Sequence, residues 1–154
     1  MRQLTDQEEI ELEKRKAGFE QFRDERLPVL VDFAERLGFE NAYEIIREPK
    51  KFLYEISEFM ADQDVLDDDR IWILTRIGYF IGECLIQQFG GCWKVNEIPD
   101  SVFFSHYVVS EFRGLNNPNA MADPFGIAQE FVDTRPPRDL EKLFSEVVQE
   151  LESL

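Results

Sequence analysis

Glu83 is the residue whose surroundings ask most for an explanation. It interrupts the apolar run Tyr79-Phe80-Ile81-Gly82-Glu83-Cys84-Leu85-Ile86. A carboxylate taken out of water must find a cation or several donors. Arg76 lies two helical turns earlier on nearly the same face, and Arg113 or Lys94 could reach it from elsewhere. The expectation is that Glu83 is at least half buried and paired with Arg76 or Arg113. His106 is the sole histidine, set among Phe104, Ser105, Tyr107 and Val108. Ser105, Ser110, Glu111 and Glu83 could be drawn around it as a triad. No G-x-S-x-G elbow exists, so a structural histidine is the reading.

Metal chemistry finds little support. The loop Asp62, Asp64, Asp67, Asp68, Asp69 clusters carboxylates as hard cations require. An EF-hand starting at Asp62 would need Gly at its sixth position, which holds Asp67, and Glu at its twelfth, which holds Ile73. A solvated loop is the expectation. Cys84 and Cys92 with one histidine make neither a zinc site nor a disulfide framework. Two buried, reduced thiols are expected, with no metal and no cofactor. The polar segment Asn116, Asn117, Asn119, Asp123 is ordinary turn chemistry.

The chain has 154 residues, with 17 Lys and Arg against 32 Asp and Glu, a net charge of −15. That charge argues against nucleic acid, which needs cations at its phosphates, and against anionic membrane surfaces. A hydrophobic content of 44% is too high for a disordered acidic chain. The length suits one domain over 1–154. Met1 to Asp6 carries no apolar leader, and the most apolar stretch, Ile71 to Ile86, holds Arg76 and Glu83. The expected compartment is the cytoplasm.

Helical signals dominate the first half. Thr5-x-x-Glu8 fits a capping box, predicting a helix to about Arg26. Pro28 then opens a second, with Leu30, Phe33, Ala34 and Leu37 on one face and Gly38 ending it. Asn41 is a cap for a short helix through Arg47, and Pro49 can start another carrying Phe52, Leu53, Ile56, Phe59 and Met60. Asp69 can cap a central helix, Arg70 to Phe89, with Ile71, Leu74, Gly78, Ile81 and Leu85 as its buried stripe. The pair Gly78-x-x-x-Gly82 predicts close approach by another element, and Gly90-Gly91 ends the helix.

The period then changes. Trp93 to Ile98 alternates apolar and polar, and Val102 to Phe112 is rich in aromatic and β-branched residues. An antiparallel hairpin follows, its second arm one long strand or two broken near Ser105-His106. Asp123-Pro124 caps a helix to about Val132. Arg135-Pro136-Pro137 breaks it. A last helix from Asp139 carries Leu140, Leu143, Phe144, Val147, Leu151 and Leu154, a stripe expected to dock on the chain's own core. The fold class is α+β: mostly helical, with a long buried central helix against a sheet of two or three strands.

The segment Gly78 to Leu85 followed by Gly90-Gly91-Cys92-Trp93 resembles small uncharacterised bacterial α+β proteins with a helix reading roughly G-x-Y-x-G-E-x-L, then G-G-x-W leading into a strand. The resemblance implies a bacterial α+β domain and no particular activity.

Two functions are weighed. The first is a non-enzymatic protein-binding module, such as an adaptor, inhibitor or immunity-type protein, with a basic protein partner. Its mark would be a contiguous acidic face beside exposed aromatics, rather than evenly scattered charge. The second is a small-molecule-binding protein or enzyme with a pocket between central helix and hairpin, lined by Glu83, Trp93, His106 and Arg113.

Overall fold

Thr5 accepts from the backbone N–H of Glu8, and the Glu8 carboxylate accepts from the Thr5 N–H at 2.9 Å, which closes the capping box. In the computed structural model, which describes residues 2–154, this box starts α1, Asp6–Arg36. The expected break at Pro28 does not occur: Pro28 lies inside a single helix of 31 residues. An interior proline costs about 3 kcal/mol. Leu30, Phe33 and Ala34, just beyond it, are essentially inaccessible to water. Burying the Leu and Phe side chains returns about 3–6 kcal/mol, enough to hold the helix through the proline.

Two 3-10 turns follow, Ala42–Ile46 and Pro49–Phe52, the second running into α2, Leu53–Met60. Asn41 is in the left-handed region (φ 54°) and its side chain makes no cap, contrary to expectation. Next comes α3, Asp67–Phe89. Its N-cap is Leu66 rather than Asp69, and Asp67, Asp68 and Asp69 fill the first turn, where the helix dipole favours anions. The predicted stripe is buried from Gly78 onward, but Ile71 and Trp72 are exposed. Polar contacts hold those first turns from outside: Arg70 reaches both carboxylate oxygens of Asp133 at 2.8 Å.

Gly90 (φ 65°) ends α3 and turns the chain into β1, Cys92–Val95. Then come β2, Tyr107–Ser110, and β3, Met121–Ala122, in the antiparallel order β1-β2-β3, with Trp93 opposite Val109 and Val109 opposite Ala122. The arms are shorter than the alternation suggests. Asn96, nearly fully buried, donates to Ser101 Oγ at 3.0 Å and accepts from the Ile98 N–H at 3.2 Å. This pins 96–101 as a loop, so β1 stops at Val95. Residues 101–105 form turns, with Ser105 in the left-handed region (φ 65°), and the second arm begins only at Tyr107.

Asp123 accepts from the Gly126 N–H and starts α4, Pro124–Asp133. Asp139 caps α5, Leu140–Glu152. α4 packs on α3, and α5 packs on α2. Leu140, Phe144 and Leu151 are buried, so the C-terminal stripe docks on the chain's own core. Arg138 ties the join. It is buried, and its guanidinium donates to the carbonyls of Met60 (3.2 Å), Gln63 (2.7 Å) and Val132 (3.4 Å), at the C-terminal ends of α2 and α4. Helix C-termini concentrate unpaired carbonyls, which suits a cation. The fold is α+β: among the described residues there are five α-helices and one small antiparallel sheet.

Candidate functional site

The G-x-x-x-G pair of α3 is where the sheet and α4 reach the central helix. A Cβ at Gly82 would lie 2.0 Å from Trp93 Cζ2, and one at Gly78 would lie 2.3 Å from Phe125 Cδ1. Each glycine is therefore a seat for one ring. Phe22 of α1 closes the layer, with its centroid 5.0 Å from Trp93, 5.2 Å from Tyr79, 4.3 Å from Tyr107 and 5.8 Å from Phe125. The space between α3 and the hairpin is thus filled by aromatic side chains.

Glu83 lies at the edge of this layer and is buried. Its Oε2 accepts from the Trp93 indole N–H at 2.7 Å and from Arg26 Nε at 3.2 Å. The expectation of a buried, paired Glu83 holds, but the cation is Arg26 from α1. Arg76 instead stacks 4.0 Å from the Trp72 ring centroid and donates to the Trp72 carbonyl. Arg113 sits exposed at the C-terminus of α3, beside Gly90. The continuous α1 brings Arg26 across, and a helix ended before Pro28 concealed that pairing. Glu83 spends its charge on two internal donors, the arrangement of a structural carboxylate. Burial, with Glu83 as a second cause, pushes the Cys84 thiol well above its ordinary value, so it stays protonated. Cys92, expected to be buried, is exposed, with its thiol 3.0 Å from Glu111 Oε2.

His106 is placed at the other end of the hairpin. Its Nδ1 lies 2.8 Å from Asp123 Oδ2, while Asp123 Oδ1 accepts from the Gly126 N–H at 3.2 Å. The pair opens on a cleft of about 200 Å³ lined by Arg15, Tyr107, Phe125 and Gln129. Of the four residues expected to line one pocket, the fold joins Glu83 to Trp93 and sends His106 and Arg113 to different places. Glu83, Trp93 and Arg113 line none of the four best-formed clefts among the described residues.

The largest of these clefts, about 620 Å³, is a groove between α4 and α5. α4 leans on α3 and α5 on α2, and the two helices leave a gap between them. Ile127, Leu143, Val147, Leu151 and Leu154 make an apolar floor, with Phe103 and Met121 at one end. Glu130 stands on one rim, and Glu146 and Glu150 stand on the other. All three are exposed, and among the described residues no Lys, Arg or His pairs with any of them. The lining holds no cation at all. A second cleft of about 260 Å³ shares Glu130, Leu143 and Glu146 and prolongs the groove toward Pro137 and Lys142.

Reading the last helix as an amphipathic stripe found Leu143, Val147 and Leu154; Leu143 and Val147 do pack against the core while also lining the groove, and Leu154 is exposed. The available signal is width: residues 140–154 hold seven apolar positions, of which only Leu140, Phe144 and Leu151 are buried. Asp123 reads in the sequence as a helix cap and as part of a polar turn segment, and neither Arg26 nor Arg138 carries a local signal. Among the described residues, no three of His, Cys, Asp and Glu are grouped to hold a metal ion, and no helix is long and apolar enough to cross a membrane. No protein-family profile matches the chain, and neither a curated protein nor a solved structure matches it.

Proposed function

We propose that this protein is a non-enzymatic binding module that takes a basic protein partner in the groove between α4 and α5. The observation that carries the reading is the pairing of an apolar floor with three unpaired rim glutamates. Elsewhere this surface neutralises carboxylates where a cation is near: Glu8 with Arg2, Glu44 with Lys51, Asp133 with Arg70. The groove has contact area for an apolar side chain and charge for a cationic one. A net charge of −15 adds long-range steering toward basic partners.

The test is affinity capture from the native cell, read by mass spectrometry, with wild-type bait beside Val147→Asp bait. The expected outcome is a basic protein held by the wild type, released by salt and lost with the variant. A partner captured equally by both baits overturns the groove as the site.

The His106–Asp123 pair favours a second reading, a small-molecule-binding protein or enzyme. An aspartate on Nδ1 fixes the imidazole at the edge of the cleft and leaves Nε2 as the nitrogen a general base would use. The volume of about 200 Å³ is below the 300–1,000 Å³ usual for ligand pockets. A fragment screen by amide chemical shifts decides it: ligands that move His106 and Gln129 but not Val147 favour this reading.

A further inference from the structure

We infer that the segment received by the α4/α5 groove is an amphipathic α-helix of about three turns, apolar on one face and flanked by Lys or Arg. The inference rests on the groove reading above and specifies the occupant.

Length comes first. The floor residues of α5 run from Leu143 to Leu151, and Leu154 continues the floor just past the end of the helix. At 1.5 Å per residue the helical part is about 12 Å, and Leu154 lengthens the floor beyond it, so that a visiting helix of about three turns covers the whole. The floor is apolar over that whole distance, with α4 contributing Ile127 from the facing side. Apolar anchors at helical spacing fill such a trough.

The rim sets the flanks. Glu146 and Glu150 are four residues apart on one helix, a like-charge neighbour pair that weakens an isolated helix slightly. Glu130 faces them from α4. Lys or Arg on either side of the visitor's apolar face would meet these carboxylates. A second copy of the chain fits poorly, since it would set glutamate rims and two charges of −15 against each other. An added β-strand fits poorly too. The sheet edge at the end of the groove is β3, and its two residues are too short to template a strand.

The experiment uses the full chain and three synthetic peptides of about fourteen residues. One has Leu at every third or fourth position and Lys elsewhere. One has the same composition with the pattern scrambled. One has Glu in place of Lys. Affinity is read by fluorescence anisotropy, peptide helicity by circular dichroism and location by amide shifts. The variant Glu130→Lys/Glu146→Lys/Glu150→Lys tests the rim. Glu11→Lys/Glu13→Lys/Glu20→Lys, on the exposed face of α1, changes net charge equally and controls for it. All six positions are exposed, so both variants should fold.

The inference expects the patterned Lys peptide to bind at least tenfold tighter than the other two and to become helical. Its binding should weaken at least tenfold in the rim variant, only slightly in the α1 variant, and shift Ile127, Val147 and Leu151. Equal binding of patterned and scrambled Lys peptides overturns the helix and leaves the basic-partner reading standing. Equal weakening in both variants, or shifts confined to other surfaces, overturns the groove itself. Absence of binding by any peptide overturns the inference, while the capture experiment decides the broader reading separately.

Discussion

Two sets of carboxylates in this protein live by opposite rules. Glu83 is inside, and a cation and an indole N–H from two other elements converge on one of its oxygens. Glu130, Glu146 and Glu150 are outside, bordering apolar surface, and among the described residues none of them forms an ion pair. A charge in the interior persists only if paired, so its partners are part of the fold. A charge in water needs no partner, so one held beside an apolar groove is free to select something that comes later. Burial and pairing together separate a structural carboxylate from one available for recognition.

Removing the common support should have the largest effect. Deleting residues 139–154 takes away Leu140, Phe144 and Leu151, which are buried, together with half of the groove. Thermal melting followed by circular dichroism should lose its cooperative transition. A truncated chain that melts as before but passes from dimer to monomer in light scattering would make α5 an interface instead.

The interior carboxylate comes next. Glu83→Ala leaves Arg26 and the Trp93 indole without their acceptor. The expected cost is about 3 kcal/mol, at the low end for a broken buried pair because Arg26 is partly exposed. Glu83→Gln keeps an acceptor for the indole and should cost about 1–2 kcal/mol. Urea midpoints measure both, and equal losses would contradict the role given to charge.

Gly82→Ala should cost about 1–3 kcal/mol, because the added methyl group must displace Trp93. A red shift in indole emission should accompany the loss. An unchanged emission maximum would show the ring seated elsewhere.

The rim should behave oppositely. Glu130→Gln/Glu146→Gln/Glu150→Gln should change stability by no more than about 0.5 kcal/mol in the same urea assay. A loss comparable to that of Glu83→Ala would mean that these side chains hold the fold, and the contrast would fail.

The smallest effect concerns a surface carboxylate that does have a cation. Hydrogen bonds from Arg2 hold Glu8 down from 4.5 to about 2. The unfolded chain takes up that proton first as pH falls. The contribution is therefore whole above about pH 4.5 and disappears on the way to pH 2. Arg2→Ala should flatten that part of the acid unfolding curve, and an unaltered curve would remove Arg2 as the cause.

Much of the fold was legible in residue order, because capping boxes, glycine ends and Asp-Pro starts act over a few residues. Thr5 with Glu8, Gly90, Asp123 with Pro124, and Asp139 all fall where local rules place them. The hairpin's pairing was legible in its alternation, but its extent was not. Asn96 ends β1 through contacts with a loop residue five positions on. The candidate site was far less legible. A stripe of leucines says that something covers it and leaves open what does.

The sequence by itself determined that this chain is acidic, mainly helical, built on one apolar helix with two small seats, and obliged to pair Glu83. Those are consequences of composition and of spacing along a single element. The tertiary structure decided that α1 runs through Pro28 and delivers Arg26. It decided that Trp93 and Phe125 occupy the two glycines, and that α4 and α5 rest on different helices with a groove between them. Each depends on which surfaces meet, and burial worth several kcal/mol there outweighs local preferences of one to three.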